Sequence, residues 1–217
     1  MKKQLRVDFH VHSKYSSDSV ITTKDLVKYA KKRSLDAIAI TDHNQIKGAL
    51  DIAKKIELLI IPSIEISTKS GHLVGLNVRK SIPKGMSVDE TVDFIHDEGG
   101  LAVACHPYAW FKKSLGDKIT KKFDAIETIN SSAIPFGGNT KKAKKTAKRL
   151  NLAQIAGTDA HIPQSIGLAY TLLEAEPTIE DIVKAISERR CSTFGQPVSI
   201  SLRLKQQFML IKKYLQK

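Results

Sequence analysis

Cysteine is scarce in this chain: Cys105 and Cys191 are the only two in 217 residues, too few for a disulfide framework. Long apolar runs are missing as well. Nothing approaches the roughly 20 consecutive residues that a membrane span needs, and the start, MKKQLRVDF, carries no hydrophobic stretch of a secretory signal. Proline-, glycine- or serine-rich linkers, low-complexity tracts and internal repeats are absent too. These absences predict a single domain over residues 1–217, cytoplasmic, with reduced thiols and no membrane partner. Positive charge, by contrast, is plentiful: 35 lysines and arginines face 22 acidic residues, a formal net charge of +13. Such a surface draws anions, so phosphorylated metabolites or nucleic acid are natural partners. It equally describes a lysine-rich surface that serves solubility or heat tolerance.

Short apolar, β-branched runs recur at Leu5–Val11, Ala37–Ile40, Leu58–Ile61, Leu73–Val78, Leu101–Cys105, Ala125–Ile129 and Ala153–Ala156. Runs of this length suit strands buried on both faces of a parallel sheet. Helical segments lie between most of them, and Thr22 with Asp25, Ser87 with Glu90 and Thr178 with Asp181 carry the spacing of a capping box. Around Thr140–Leu150, Ala143, Ala147 and Leu150 form one stripe among lysines and an arginine, the pattern of a solvated outer helix. About seven strand–helix alternations predict an α/β fold, a (β/α) barrel of TIM-like type. Alternation at Val198, Ile200 and Leu202, then helical spacing at Leu204, Phe208, Ile211 and Leu215, predicts that residues 198–217 form a strand-and-helix tail docked on the barrel.

The polar exceptions gather where these strands end. His10 and His12 close the first run, Asp42 and His43 follow the second, Glu65 the third, His72 lies at the fourth, His106 ends the fifth, and Asp159 and His161 end the seventh. In such a barrel the carboxyl ends of all strands share one rim, where active sites form. Six of the seven histidines lie at strand ends; only His96 falls in a helix. Side chains two apart on a strand share a face, so His10 and His12 can grip one cation while Val7, Phe9 and Val11 turn away. By the same alternation Cys105 faces away from His106 and packs as a small hydrophobe. Six histidines with Asp18, Glu65 and Asp159 make a donor set of imidazole and carboxylate, enough for two or three divalent ions such as Zn²⁺, Mn²⁺ or Fe²⁺. A cluster of that kind activates water at neutral pH and clamps the oxygens of a phosphate.

The run DFHVHSKYSSDS, followed by ITDHN, IPSIEIS, GHLVGL, CHP and GTDAH, resembles the PHP (polymerase and histidinol phosphatase) family, and within it the stand-alone metal-dependent phosphoesterases. The resemblance implies a distorted seven-stranded barrel with a trinuclear site. It would place His10, His12, Glu65 and Asp159 on one ion, Asp18, His43 and His161 on a second, and Glu65, His72 and His106 on a third. Asp18 stands where some members have histidine, which is similar to the nucleotide-type branch. Asp8 and Asp42 match the motifs as partners that orient imidazoles. Between His72 and His106 there is room for barely one helix, where larger members of that branch insert a helical cap, so the site is expected to be open.

The reaction expected is hydrolysis of a nucleotide or another small phosphomonoester, with Asp159 and His161 at the reacting phosphate and His161 a candidate acid for the leaving group. Lys14 and Asn130 are candidate phosphate contacts, or simply turn residues. Trp110 and Phe111 either stack on a base or pack beneath a loop. A second reading is a nuclease for short RNA or DNA ends, with Lys112, Lys113, Lys118, Lys121, Lys122 and the 141–149 cluster as its track. A third is a basic barrel that binds RNA without catalysis, which would have eroded ligand positions. The oligomeric state is left open.

Overall fold

The computed structural model describes residues 3–215; residues 1–2 and 216–217, which the single-domain expectation includes, lie outside the described residues. Seven strands fall where the apolar runs predict them: β1 (Lys3–Val11), β2 (Ala37–Ile40), β3 (Leu59–Ser67), β4 (His72–Leu76), β5 (Leu101–Ala104), β6 (Ala125–Asn130) and β7 (Ala153–Gly157). Two more, β8 (Ala169–Ala175) and β9 (Cys191–Gly195), extend the sheet to nine strands in the order β7-β6-β5-β4-β3-β2-β1-β8-β9. The sheet is not purely parallel. β4 runs antiparallel to both β3 and β5, and β8 runs antiparallel to β1 and β9. The sheet curls until its first and last parts meet. The amide of His12 donates to the Ala160 carbonyl at 3.0 Å, beside a bridge between Val11 and Ala160. Lower down, Thr171 of β8 accepts the Ala156 amide at 2.8 Å and Thr128 of β6 bonds Thr193 of β9 at 3.2 Å. The result is a distorted, nearly closed α/β barrel.

Helices α1 (Thr23–Arg33), α2 (Lys47–Ala53), α3 (Val88–Asp97) and α4 (Phe136–Leu150) pack outside. Their starts follow the caps. Thr22 and Asp25 bond reciprocally, as do Ser87 and Glu90, so each box satisfies two amides that a helix end leaves bare. α5 (Ile179–Ser187) begins with Thr178 accepting the Asp181 amide, packs on β7 and β8, and adds Ile182 and Ile186 to the apolar layer that holds Leu5 and Val7 of β1. α6 (Ile200–Leu215) departs from expectation, because the alternation at Val198–Leu202 builds no strand. Ser199 accepts the Leu202 amide at 3.3 Å, an N-cap contact that opens a helix at Ile200 and overrides the two-residue period.

Two apolar layers sit either side of the sheet. Val7, Phe9, Ala39, Ile61, Val74, Val103 and Ile155 fill the inside, and Ile38, Ile40, Ile60, Ile64, Ala102 and Ile126 pack against the outer helices. The inner layer stops below the carboxyl ends of the strands, and there the polar residues begin. Among the described residues no helix is long and apolar enough to cross a membrane.

Candidate metal centre

Strand alternation carries some donors inward without help. Glu65 continues the inward face of Ile61 and Ser63 on β3, and His72 shares a face with Val74 on β4. Others need a break in the backbone. The register of β1 against β2 shifts between Asp8 and Val11, so Phe9 packs inside while His10 and His12 also reach the mouth and Val11 faces the helices. His106 (φ 29°) and Asp159 (φ 54°) adopt left-handed backbone, which non-glycine residues rarely take. These breaks overturn two expectations. Phe9 does not turn away from His10 and His12 but packs on the inner side with them. Cys105 does not face away from His106: both turn inward, with the thiol 3.5 Å from His106 Nε2 and 3.7 Å from Glu65 Oε1.

Glu65 is the hub. Its Oε1 lies 2.8 Å from His72 Nδ1 and 2.9 Å from His106 Nε2. Its Oε2 lies 3.3 Å from His10 Nε2, 3.2 Å from His12 Nε2 and 3.3 Å from His43 Nδ1. Asp159 Oδ1 stands 3.4 Å from His12 Nε2 and 3.6 Å from His161 Nδ1. Asp18, from the loop after β1, reaches back so that its Oδ2 lies 3.2 Å from His43 Nε2 and 3.1 Å from His161 Nε2. The structure thus brings together His10, His12, Asp18, His43, Glu65, His72, His106, Asp159 and His161. Their donor atoms fall into groups whose members lie within 4.8 Å of one another: His12, Asp18, His43 and His161; His10, His12 and Asp159; His43, Glu65 and His72; and Glu65, Cys105 and His106.

This donor set fits divalent ions. His10 Nε2 and His12 Nε2 point at each other across 3.1 Å. Two donors on one tetrahedral ion at about 2.1 Å would stand about 3.4 Å apart. Among the described residues, Asp18 Oδ1 and His106 Nδ1 are buried without a hydrogen-bond partner. Tautomers are constrained as ligation requires. His10 Nδ1 faces the Glu127 carboxylate at 3.2 Å and His161 Nδ1 faces the Asp159 carbonyl at 2.9 Å. Those oxygens only accept, so each Nδ1 carries the proton and each Nε2 is left to donate its lone pair.

The charges couple strongly. Burial opposes ionisation of Glu65, yet the imidazoles around it, His10 first, hold its carboxyl well below the usual range. Burial likewise opposes charge on His10 and His12. Asp159, Glu127 and Glu65 outweigh it at His10, which titrates well above the usual imidazole range, and Asp159 and Glu65 push His12 up to about 9. At His161 burial prevails with the help of charge on His12, and its imidazole is lowered. The carboxylates thus favour the charged forms of His10 and His12.

One residue that was not singled out, Glu127, and two that were read otherwise, Lys112 and Cys105, complete the centre. Glu127 of β6 accepts the His106 amide at 2.6 Å, the Asn130 amide group at 2.8 Å and the His10 Nδ1 proton. Its signal was there to be read: a charged residue inside the apolar run AIETI. Lys112 places its ammonium on Asp159 Oδ2, and Cys105 lines the floor. Other expectations change place. Asn130 is fully buried and spends its side chain on Glu127 and, at 3.4 Å, on Asp159, so it does not face a substrate. Lys14 is exposed on a hollow shared with Met209, Lys212 and Lys213, because a turn from Ser13 to Ser16 sends it to the far side of the loop. Asp8 and Asp42 touch no imidazole ring. Asp8 accepts amides of His10, Thr158 and Gly167, and Asp42 accepts the amide and hydroxyl of Ser13, so both orient ligand-bearing backbone. His96 bonds Asp124 outside the centre.

Residues 8–107 match the family model of the PHP domain and residues 137–191 that of the PHP-associated region. An uncharacterized protein of Methanocaldococcus jannaschii is 37% identical over 141 residues, 58% of this chain and 82% of that one. The chain belongs to the PHP family. A 5'-3' exoribonuclease of Haemophilus influenzae is 36% identical over 86 residues, covering 36% of this PHP protein and 31% of the exoribonuclease. Among solved structures, a two-domain protein of Bacteroides vulgatus, described as containing a predicted PHP-like metal-dependent phosphoesterase, superposes with a TM-score of 0.73 at 21% identity. That match covers 90% of this chain and 66% of the other.

Proposed function

We propose that this PHP protein is a metal-dependent phosphoesterase with a trinuclear centre, acting on a nucleotide or another small phosphomonoester. The observation that carries this is Glu65, a buried carboxylate within 3.3 Å of ring nitrogens from five histidines at the ends of β1, β4 and β5 and in the loop after β2. His10, His12, Glu65 and Asp159 would hold one ion, Asp18, His43 and His161 a second, and Glu65, His72 and His106 a third. Zn²⁺, Mn²⁺ and Fe²⁺ all suit imidazole and carboxylate donors. Such ions, when bound, supply Lewis acidity toward phosphoryl oxygens and make water a competent nucleophile at neutral pH.

The chain's own part is orientation and charge. Glu127 keeps the proton of His10 on Nδ1 and clamps the His106 amide, fixing two imidazoles from one carboxylate. The Lys112 ammonium, held at the mouth by Asp159, is placed to meet an incoming phosphate. Asp159 and His161 sit beside the reacting phosphate as ligand residues. The proton of His161 is committed to the Asp159 carbonyl, which does not suit the leaving-group acid expected of it.

The nuclease reading stands second, favoured by the similarity to the exoribonuclease over 86 residues. Its lysine track is partly spent, since Lys112 pairs with Asp159 and Lys122 with Asp93. The non-catalytic reading has the least support, because every donor position is filled. The test is an assay of purified, Mn²⁺-reconstituted protein against nucleotides, sugar phosphates and short oligonucleotides. A phosphomonoester should be hydrolysed and His10→Ala should abolish the activity; full activity in that variant would place the chemistry elsewhere.

A further inference from the structure

We propose that the cleft between the Trp110–Phe111 corner and α6 binds the aromatic base of a nucleotide whose phosphate lies among the histidines. This rests on the phosphoesterase reading above and names the part of the substrate that reading leaves open.

Two cavities meet at the mouth of the barrel. The inner one, about 240 Å³, is walled by the donor residues themselves. It falls below the roughly 300–1,000 Å³ of ordinary small-molecule sites, so it suits a phosphoryl group and little more. The outer one, about 450 Å³, lies between the corner and α6. The two share Asp18, Phe111, Lys112 and His161 as walls, so a molecule with its phosphate in the inner chamber extends its leaving group into the outer one.

The lining of the outer chamber chooses the leaving group. Trp110 is 63% exposed and Phe111 94% exposed, so neither packs beneath a loop. Phe111 also holds left-handed backbone (φ 59°) while its ring stands in solvent, an arrangement that its own packing does not stabilise. Across the cleft, α6 presents Leu204 and Leu210 for a ring face and Gln206 and Gln207 for a ring edge. Flat apolar walls with amides between them match a heteroaromatic ring. A sugar phosphate would bring hydroxyls against Trp, Phe and Leu without partners, and an alkyl chain would leave the amides idle. The wall is anchored at both ends. Arg203 donates to the carbonyls of Val198, Ser131 and Ser132, and Lys213 donates to those of Ser16, Ser17 and Ser19 in the loop that carries Asp18. The outer chamber is therefore bordered by a helix from the other end of the chain.

Trp110 is the sole tryptophan, so its fluorescence reports on this cleft. The experiment titrates chelator-treated protein with AMP, ribose 5-phosphate and octyl phosphate. AMP should quench the emission saturably and bind about 5- to 150-fold more tightly than ribose 5-phosphate, the range of base–aromatic stacking. Phe111→Ala, whose ring makes no core, should lose most of that factor, and in the Mn²⁺-loaded enzyme the ratio of kcat/KM for AMP over ribose 5-phosphate should fall with it. Equal affinity for all three compounds, absence of quenching, or an unchanged AMP affinity in Phe111→Ala would overturn the proposal. Quenching by AMP in a protein that hydrolyses no phosphoester would refute the activity and keep the subsite; hydrolysis without quenching would do the reverse.

Discussion

Gly157, the last residue of β7, is where the fold and the metal centre compete for the same space. Its φ lies outside the left-handed region, so alanine is acceptable to the backbone and any penalty must come from contact. A Cβ there would stand 2.3 Å from His10 Cβ, 2.5 Å from Glu127 Oε1 and 2.8 Å from the His10 amide nitrogen. The closest approach is about 1 Å short of ordinary contact, and overpacking on that scale costs about 1–3 kcal/mol. None of the three neighbours is a flexible chain end free to swing away. His10 is held by Asp8 through its amide and by Glu127 through its ring. Gly157→Ala therefore has to push β1 from β7 or rotate the His10 imidazole.

For a chain of this size each kcal/mol is worth roughly 2–4 °C in Tm. Thermal unfolding with chelator present isolates the packing cost, and the Tm of Gly157→Ala should drop by about 2–12 °C. A competition titration reads the second consequence, a fall in metal affinity of about 10- to 100-fold through the displaced imidazole. Gly137→Ala is the matched control: it lies in α4 with nothing within 4 Å of its Cβ, and it should be neutral or slightly stabilising. A lowered Tm with unaltered affinity would mean that β7 yields and His10 does not. A Gly157→Ala protein with wild-type Tm and wild-type affinity would refute the argument from close approach altogether.

Glu127→Gln keeps the shape of the side chain but sets an amide against two donors; it should cost about 10- to 100-fold in metal affinity by competition titration, and unchanged affinity would remove Glu127 from the centre. Metal uptake at pH 7 should release protons, because His12 titrates near 9 and His10 well above its usual range in the metal-free protein, so both are charged and must deprotonate to ligate. Calorimetry in two buffers of different ionisation enthalpy measures this, affinity should rise with pH up to about 9, and proton uptake on binding would contradict the sign.

The donor positions were legible because a barrel converts sequence position into spatial position. A histidine or carboxylate ending an apolar run has little choice but to face the shared rim; of the nine donors that converge, His72 instead opens its run and reaches the rim because β4 is antiparallel, and Asp18 comes from the loop after β1. What alternation could not reveal was orientation at the places where the ladder breaks. The shift in β1 and the left-handed backbone at His106 bring consecutive residues, Phe9 with His10 and Cys105 with His106, to one side. Strands β8 and β9 were silent for another reason. β9 is mostly exposed and β8 is only half buried, so neither has the apolar run that marked the other seven. The tail was misread where a short alternation met a cap residue. Ser199 needs only one amide to start a helix, and helical spacing from Ile200 onward then prevails.

The left-handed residues explain how the rim is held in register. Such backbone costs on the order of 1–3 kcal/mol for a non-glycine residue and persists only where its surroundings enforce it. Three of them border the centre, and each spends its amide on another element of it. His106 donates to Glu127 at 2.6 Å, Asp159 to the His10 carbonyl at 2.7 Å, and Asn44 (φ 54°) to the Glu65 carbonyl at 2.8 Å. Those bonds tie β5 to β6, β7 to β1 and the loop after β2 to β3. They lie at the level where the ladder has ended and carboxylates and imidazoles crowd together. Each strained residue thus trades local conformational energy for a crosslink between two donor-bearing segments. That trade keeps the Nε2 atoms of His10 and His12 3.1 Å apart. The backbone's own crosslinks thus hold the donor-bearing segments together, and an ion that binds there displaces protons from imidazoles those crosslinks keep side by side.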